Sequence, residues 1–251
     1  MPNQETQPGL ISVVIPCFNQ GKFIDDAVES VYQQTYTNYE IVIVDAGSDD
    51  PFTKEKLRNY KAPFTQVVTS AQQIFPSRAR NLAFSHTKGE FILTLDADDI
   101  LEKTFMEKTM AGMATNPEAG AVSGKVMYFG YEEGFLDYRG GQLEDILRNM
   151  GSHLCALIRR TAWEEINGFD ETVNDGFEDW EFWMRMTKEH WSIVIVPEIL
   201  FYYRQKDSSR VTEVFKNQTQ LIEQLKEKHK EVYAHPFNYL KAHLKKTKTQ
   251  D

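Results

Sequence analysis

Three apolar runs, ISVVI at 11–15, IVIV at 41–44 and FILTL at 91–95, constrain this chain most, because each is short, unbroken and followed by a polar turn. Apolar runs of this length without polar alternation fit strands buried on both faces. Between the first two, Phe23, Ala27, Val28 and Val31 recur at helical spacing. The pattern predicts helices over 22–34, 52–60, 77–86 and 102–115, with a short strand over 65–69. Alternating strands and helices predict an α/β fold built from βαβ units, with a mostly parallel central sheet and flanking helices. In such sheets ligands sit in the crevice at the carboxyl ends of the strands. The second half is less regular: strands are expected over 119–129, 153–159 and 192–196, a loop over 130–142, and helices over 161–168, 178–190 and 211–245.

No repeat or long linker divides the sequence, so one continuous unit is expected over 11–210 after a flexible stretch 1–10. It is expected to fall into halves 11–100 and 101–210, with 211–251 forming a helical extension. A net charge of −9 argues against nucleic acid as a partner, since backbone binding needs a cationic surface. Lys residues in 205–249 alternate with Glu and Gln, which reads as a solvated helical end; peripheral contact with an anionic membrane stays open. Cys17 and Cys155 have no CxxC or CxxH neighbour and read as buried free thiols. The polar N-terminus and the lack of an 18-residue apolar run predict no leader and no transmembrane segment, hence a cytoplasmic protein.

The chemistry concentrates in acidic clusters at strand ends. Asp96-Ala97-Asp98-Asp99 puts three carboxylates in four residues, which repel unless something positive lies among them. A magnesium or manganese ion answers that need and keeps positions open for phosphate oxygens; a helix N-cap with an acidic first turn is the competing reading. Asp45-Ala46-Gly47-Ser48-Asp49-Asp50 ends the second strand, where Asp45 can accept hydrogen bonds from a base or sugar, unless the segment is only a turn and cap. Arg78 and Arg80 open a helix and suit a diphosphate or a surface ion pair. Glu178-Asp179-Trp180-Glu181 offers carboxylates beside aromatics, a setting that raises a pKa toward that of a proton acceptor; a capped, salt-bridged helix start is the alternative.

Taken in order over about residues 10–210, the segments ISVVIPCFNQ, SVYQQTYTNYEIVIVDAGSDD, SRARNLAFSHTKGEFILTLDADD, GFDE and GFEDWEFWMR resemble glycosyltransferase family 2. The resemblance implies a GT-A-type, Rossmann-like nucleotide-diphospho-sugar transferase fold and an inverting glycosyltransferase dependent on Mn2+ or Mg2+. It places Pro16 and Phe18 beside the nucleotide, Asp45 near the base, Arg80 near the donor, and Asp96 at the ribose or sugar. It makes Asp98 the metal ligand, Asp99 its neighbour, Asp179 the general base and Glu178 the second candidate. Gly176, Phe177 and Trp180 would shape the acceptor side. The implied donor is a UDP-sugar bound by the half 11–100, and the implied acceptor, bound by the half 101–210, is a hydroxyl of a saccharide or lipid-linked glycan in surface polysaccharide or lipooligosaccharide synthesis.

This chain departs from the family pattern in two places. Ala46 stands where many members carry a second acid, and Phe75-Pro76-Ser77 replaces the common glycine before Ala-Arg-Asn. The Gln-x-x-Arg-Trp signature of processive synthases is absent, which favours single-sugar transfer. Arg204, Lys206 and Arg210 in RQKDSSR are expected to offer charge to the phosphates. Two other classes stand as alternatives: a sugar-nucleotide nucleotidyltransferase, whose Gly-rich basic loop the N-terminal segment lacks, and a non-catalytic carbohydrate-binding module.

Overall fold

The apolar runs become strands whose alternate residues load both faces of one sheet. In the computed structural model, which describes residues 5–206 and 217–234, β1 (Gln7–Cys17), β2 (Tyr39–Asp45), β3 (Thr65–Thr69) and β4 (Gly89–Thr94) lie parallel in the order β3-β2-β1-β4. Ile11, Val13 and Ile15 join Ile41 and Ile43 in one core, while Val14, Val42 and Val44 enter the other. The two-residue period of a strand makes this division. Helices α1 (Ile24–Tyr32), α2 (Pro51–Arg58) and α4 (Phe105–Thr115) close the first core through Val28, Leu57 and Phe105. Helices α3 (Pro76–Phe84), α6 (Arg160–Glu165) and α7 (Glu178–Lys188) close the second through Ala79, Trp163 and Phe182. Trp163 and Phe182 are fully buried with ring centroids 5.2 Å apart, and truncating either to Ala would remove about 3–5 kcal/mol.

The second half continues the same sheet with β5 (Ile100–Leu101), β6 (Ala119–Gly130), β7 (Gly134–Leu136), β8 (Leu157–Arg159) and β9 (Ser192–Gln205), in the order β4-β8-β6-β9-β5 with β7 on β6. Here β8 runs antiparallel to both β4 and β6, and β5 antiparallel to β9, so the parallel sheet of the first half becomes mixed. The first strand begins at Gln7, inside the stretch expected to be flexible. The last strand does not stop at Val196. It passes Pro197 through a bulge, the register stepping from Gly124 opposite Val196 to Lys125 opposite Ile199, and runs on to Gln205. This continuation carries Arg204 back to the acidic turn after β4.

Part of the expected C-terminal extension is docked rather than solvated. Helices α8 (Gln218–Lys228) and α9 (Lys230–Tyr233) insert Leu225 and Val232 into the second core. Lys228 pairs with Asp170 at 2.5 Å, and Lys188 pairs with Glu231. Cys17 and Cys155 are buried and unpaired, as expected. Among the described residues no helix is long and apolar enough to cross a membrane.

Candidate active site

The β1–β2 register sets Cys17 beside Asp45, and the Leu95 N–H donates to Val14 O where β4 leaves the sheet. Asp45 and the turn 96–99 therefore gather at the carboxyl edge of the parallel strands, where the topology puts a ligand crevice. Asp45 is buried, and its Oδ1 accepts the Ser48 N–H at 2.9 Å. Gly47 makes that turn with φ +79°, and a Cβ there would lie 2.4 Å from the Gln72 backbone. Asn19 joins the loops after β1 and β2, its Oδ1 accepting the N–H groups of Asp49 and Asp50 at 3.0 Å each. Pro16 is half-buried opposite Val44, and Phe18 packs against the second core.

The carboxylates of the turn have three different surroundings. Asp96 Oδ1 meets Arg80 Nη2 at 2.5 Å. Arg80 is 3% exposed and its guanidinium lies 5.5 Å from the Phe169 ring, yet its Nε and Nη1 are sealed without a hydrogen bond. Unmade hydrogen bonds on a buried guanidinium are expensive, which fits a group organised for a ligand. Asp98 Oδ2 lies 2.5 Å from Lys206 Nζ and 3.5 Å from Gln20 Nε2; burial raises its pKa and Lys206 opposes the rise. Asp99 is fully buried, with Oδ1 accepting the Arg204 N–H at 2.8 Å and Oδ2 unpartnered. Burial, then the charges of Asp98 and Asp96, push its carboxyl well above the usual range.

Arg204 and Lys206 are thus already engaged. Arg204 Nε donates to Asp98 O at 2.7 Å, and its guanidinium lies 4.8 Å from the Phe23 ring and 4.7 Å from that of Phe129. Lys206 Nζ also donates to Gln20 Oε1 at 3.1 Å. Arg210 lies outside the described residues.

From the second core, α7 brings Asp179 in its first turn. Trp180 Nε1 donates to Ile146 O of α5 (Leu143–Ile146) at 2.6 Å, and Trp183 Nε1 donates to Ser152 O at 3.1 Å, fixing the helix start. Gly176 (φ +132°) and Phe177 (φ +59°) make the entry turn, with Phe177 edge-on to Trp180 at 5.4 Å. Asp179 is half-buried beside Glu178, which is also half-buried, and its Oδ1 accepts the Trp180 N–H at 2.8 Å. Burial, with Glu178 adding, raises its carboxyl to about 7 against the Trp180 N–H and the Arg80 charge. Arg80 therefore acts on both Asp96 and Asp179. Burial and the Asp179 charge raise the Tyr138 phenol as well. Glu181 faces away, fully buried and paired to Arg185 Nε at 2.8 Å, and serves the packing of α7.

Among the described residues no three His, Cys, Asp or Glu side chains converge on one point as a metal cage. Asp96 and Asp98 nonetheless supply two hard oxygen groups, as many as magnesium takes from a protein when phosphates complete its shell. The donor set fits such an ion once Lys206 gives way. Tyr138, His153 and Tyr203 lie in this region without having been legible in the sequence, because none stands in a motif, and Gln20 closes the segment ISVVIPCFNQ without having been given a role. His153 was visible only as the first residue of an apolar run.

Residues 12–167 match the family described as Glycosyl transferase family 2. Glycosyltransferase GlyG of Streptococcus pneumoniae is 34% identical over 226 residues, which cover 80% of this chain and 72% of GlyG. The Escherichia coli enzyme WfgD, a UDP-Glc:alpha-D-GlcNAc-diphosphoundecaprenol beta-1,3-glucosyltransferase, is 31% identical over 107 residues, 43% of this chain and 42% of WfgD. Among solved structures, S. aureus TarS 1-349 in complex with UDP superposes with a TM-score of 0.65 at 21% identity, over 84% of this chain and 64% of that one. The likeness to TarS is one of fold and confirms the GT-A-type architecture. With its family match running from β1 through α6 and GlyG similar over most of both chains, this protein belongs to glycosyl transferase family 2.

Proposed function

We propose that this protein transfers one sugar from a UDP-sugar to a hydroxyl of a saccharide or lipid-linked glycan, with inversion at the anomeric carbon. The observation that carries the reading is Arg80, buried and paired at 2.5 Å with a donor-side carboxylate, Asp96, while its charge reaches a base-side carboxylate, Asp179, whose pKa of about 7 suits proton removal near neutral pH. Complexes of TarS with UDP and UDP-GlcNAc and the UDP-glucose donor in the name of WfgD support the choice of nucleotide.

In this reading Asp45 and the loop held by Asn19 flank the nucleotide, and Asp96 faces the ribose or sugar. Asp98, with Asp96 beside it, would hold a magnesium or manganese ion, whose chemistry is to neutralise the diphosphate as its charge grows. Arg80 adds fixed positive charge from a site shielded from water, where electrostatic stabilisation is strongest. Asp179 takes the proton of the acceptor hydroxyl as that oxygen bonds to the anomeric carbon. The bond from that carbon to the diphosphate breaks on the opposite face, and the electron pair leaves with UDP. A single carboxylate suffices, since the diphosphate departs without being protonated.

The test is a screen of UDP-sugars with manganese or magnesium, reading UDP release first without and then with oligosaccharide acceptors. Release from at least one UDP-sugar is expected, and Asp179→Asn should bind the same donor but transfer about 100-fold or more slowly. A parent protein that bound UDP-sugars no better than it bound unrelated nucleotides would remove the proposal.

A further inference from the structure

Residues 152–155 run between β4 and β6, and their backbone is pinned on three sides. Trp183 Nε1 donates to Ser152 O at 3.1 Å, Thr94 Oγ1 to Leu154 O at 2.5 Å, and Ser123 Oγ to Cys155 O at 2.5 Å. From this rigid segment one polar side chain, His153, stands among aromatic rings, with centroids 4.8 Å from Phe201, 5.2 Å from Tyr203 and 6.5 Å from Tyr138.

The Cys155 N–H donates to His153 Nδ1 at 3.1 Å. A nitrogen that accepts cannot carry a proton, so the imidazole is neutral and its proton sits on Nε2. Burial agrees, holding the imidazole down to about 4, with Asp96 opposing and Arg80 reinforcing the shift. Nε2 makes no hydrogen bond among the described residues, and the side chain is only half-buried. His153 therefore offers one fixed, neutral N–H donor that no described residue uses.

Its neighbours locate that donor. Asp96 and Arg80 lie close enough to bear on its charge, and Tyr138, whose ring centroid is 6.5 Å away, lies within reach of the Asp179 charge. The segment bearing His153 is tied to Thr94, two residues before Asp96, and its ring shares the aromatic surround of Tyr138, so a sugar held between donor carboxylate and base would come within its reach. Resting on the reading of the site given above, we propose that His153 is a positioning residue whose Nε2–H donates to a hydroxyl of the transferred sugar, so that it senses the sugar and not the nucleotide. A neutral donor suits a hydroxyl oxygen, whereas the diphosphate has Arg80 close by and Lys206 at Asp98.

The experiment measures calorimetric affinity for UDP and for whichever of UDP-glucose, UDP-galactose and UDP-GlcNAc the parent binds most tightly, in the parent, His153→Phe and His153→Gln. Phe keeps the ring and loses the N–H; Gln returns an N–H donor at a similar reach. With His153→Phe the UDP-sugar affinity should fall about three- to tenfold, as for one lost neutral hydrogen bond, while UDP affinity stays within twofold. His153→Gln should recover most of the difference. An equal loss for UDP and UDP-sugar would mark a phosphate contact or a damaged fold and overturn the proposal, as would no loss at all. A parent that gains nothing in affinity from the sugar would remove the proposed donor reading and this assignment with it.

Discussion

Lys206 Nζ and Asp98 Oδ2 lie 2.5 Å apart, so an amine from the end of β9 stands where a cation on Asp98 would have to bind. The strand reaches that point only because it continues past Pro197, and Gln20 steadies the amine from the loop after β1. The pair is a competitor for any metal ion that arrives without nucleotide. Replacing Lys206 by Met keeps the length of the side chain and removes the charge. Its manganese affinity without nucleotide, read by electron paramagnetic resonance, should rise about three- to tenfold, equivalent to about 1 kcal/mol. Unchanged affinity would show that the pair does not guard Asp98.

Asp179 gives a pH prediction with a definite sign. Its carboxyl must be ionised to accept a proton, and burial has raised it to about 7. The logarithm of kcat/KM should climb with unit slope up to about pH 7 and level off above it; a flat profile from pH 5.5 to 8 would reassign the base. Stability runs the other way. The folded pKa lies above the ordinary value of 3.8, so the folded state holds the extra proton between those values and loses stability as pH rises through about 7. Asp179→Asn should therefore melt higher than the parent at pH 8, by a margin that shrinks toward pH 5 and disappears below about 4, while transfer falls by a factor of about 100 or more.

Much of this site was legible because its donor half is local in sequence. Asp45 and Asp96 each directly follow an apolar run, and a parallel sheet brings such ends to one edge. Asp179 was legible from acids placed ahead of an aromatic helix. The contacts that complete the site are not local. Arg204 reaches the turn 96–99 from across β9, and Pro197 gave every sign of ending that strand, because a ladder position without an N–H normally breaks pairing. Residues 153–156 are as apolar as a strand, yet Thr94 and Ser123 hold the carbonyls of Leu154 and Cys155 by side-chain hydrogen bonds, so the strand begins only at Leu157. No periodicity encodes such pinning, and His153 was hidden by it.

Asp99 separates structure from chemistry within the acidic turn. It is fully buried, its Oδ1 takes the Arg204 N–H, and burial with the charges of Asp98 and Asp96 pushes its carboxyl well above the usual range, which favours the protonated form. Asn is then a near replica: Asp99→Asn should melt within a degree or two of the parent and keep most of its transfer activity. Asp99→Ala removes the acceptor and orphans the Arg204 N–H, which costs about 1–3 kcal/mol and lowers the midpoint by about 2–4 °C for each kcal/mol. A calorimetric scan distinguishes the two. Loss of metal-dependent nucleotide binding in Asp99→Asn would instead make this carboxylate a ligand.

Arg80 links the two halves, so its replacements should report on both at once. Arg80→Lys keeps a positive charge for Asp96 but loses the planar fork, leaving nothing to occupy the places of Nε and Nη1. Its fold should survive while UDP-sugar affinity drops about tenfold, the effect of one charge-assisted hydrogen bond. Arg80→Met goes further, because it also removes the charge that holds Asp179 down. In that variant the acid limb of the kcat/KM profile should move above pH 7, and stability should fall by about 2–4 kcal/mol as Asp96 loses its buried partner. The Lys variant should keep its limb near 7, since a cation still faces Asp179. If both variants lost donor affinity alike but neither moved the limb, Arg80 would serve the donor only, and the coupling between Asp96 and Asp179 through its guanidinium would have to be abandoned.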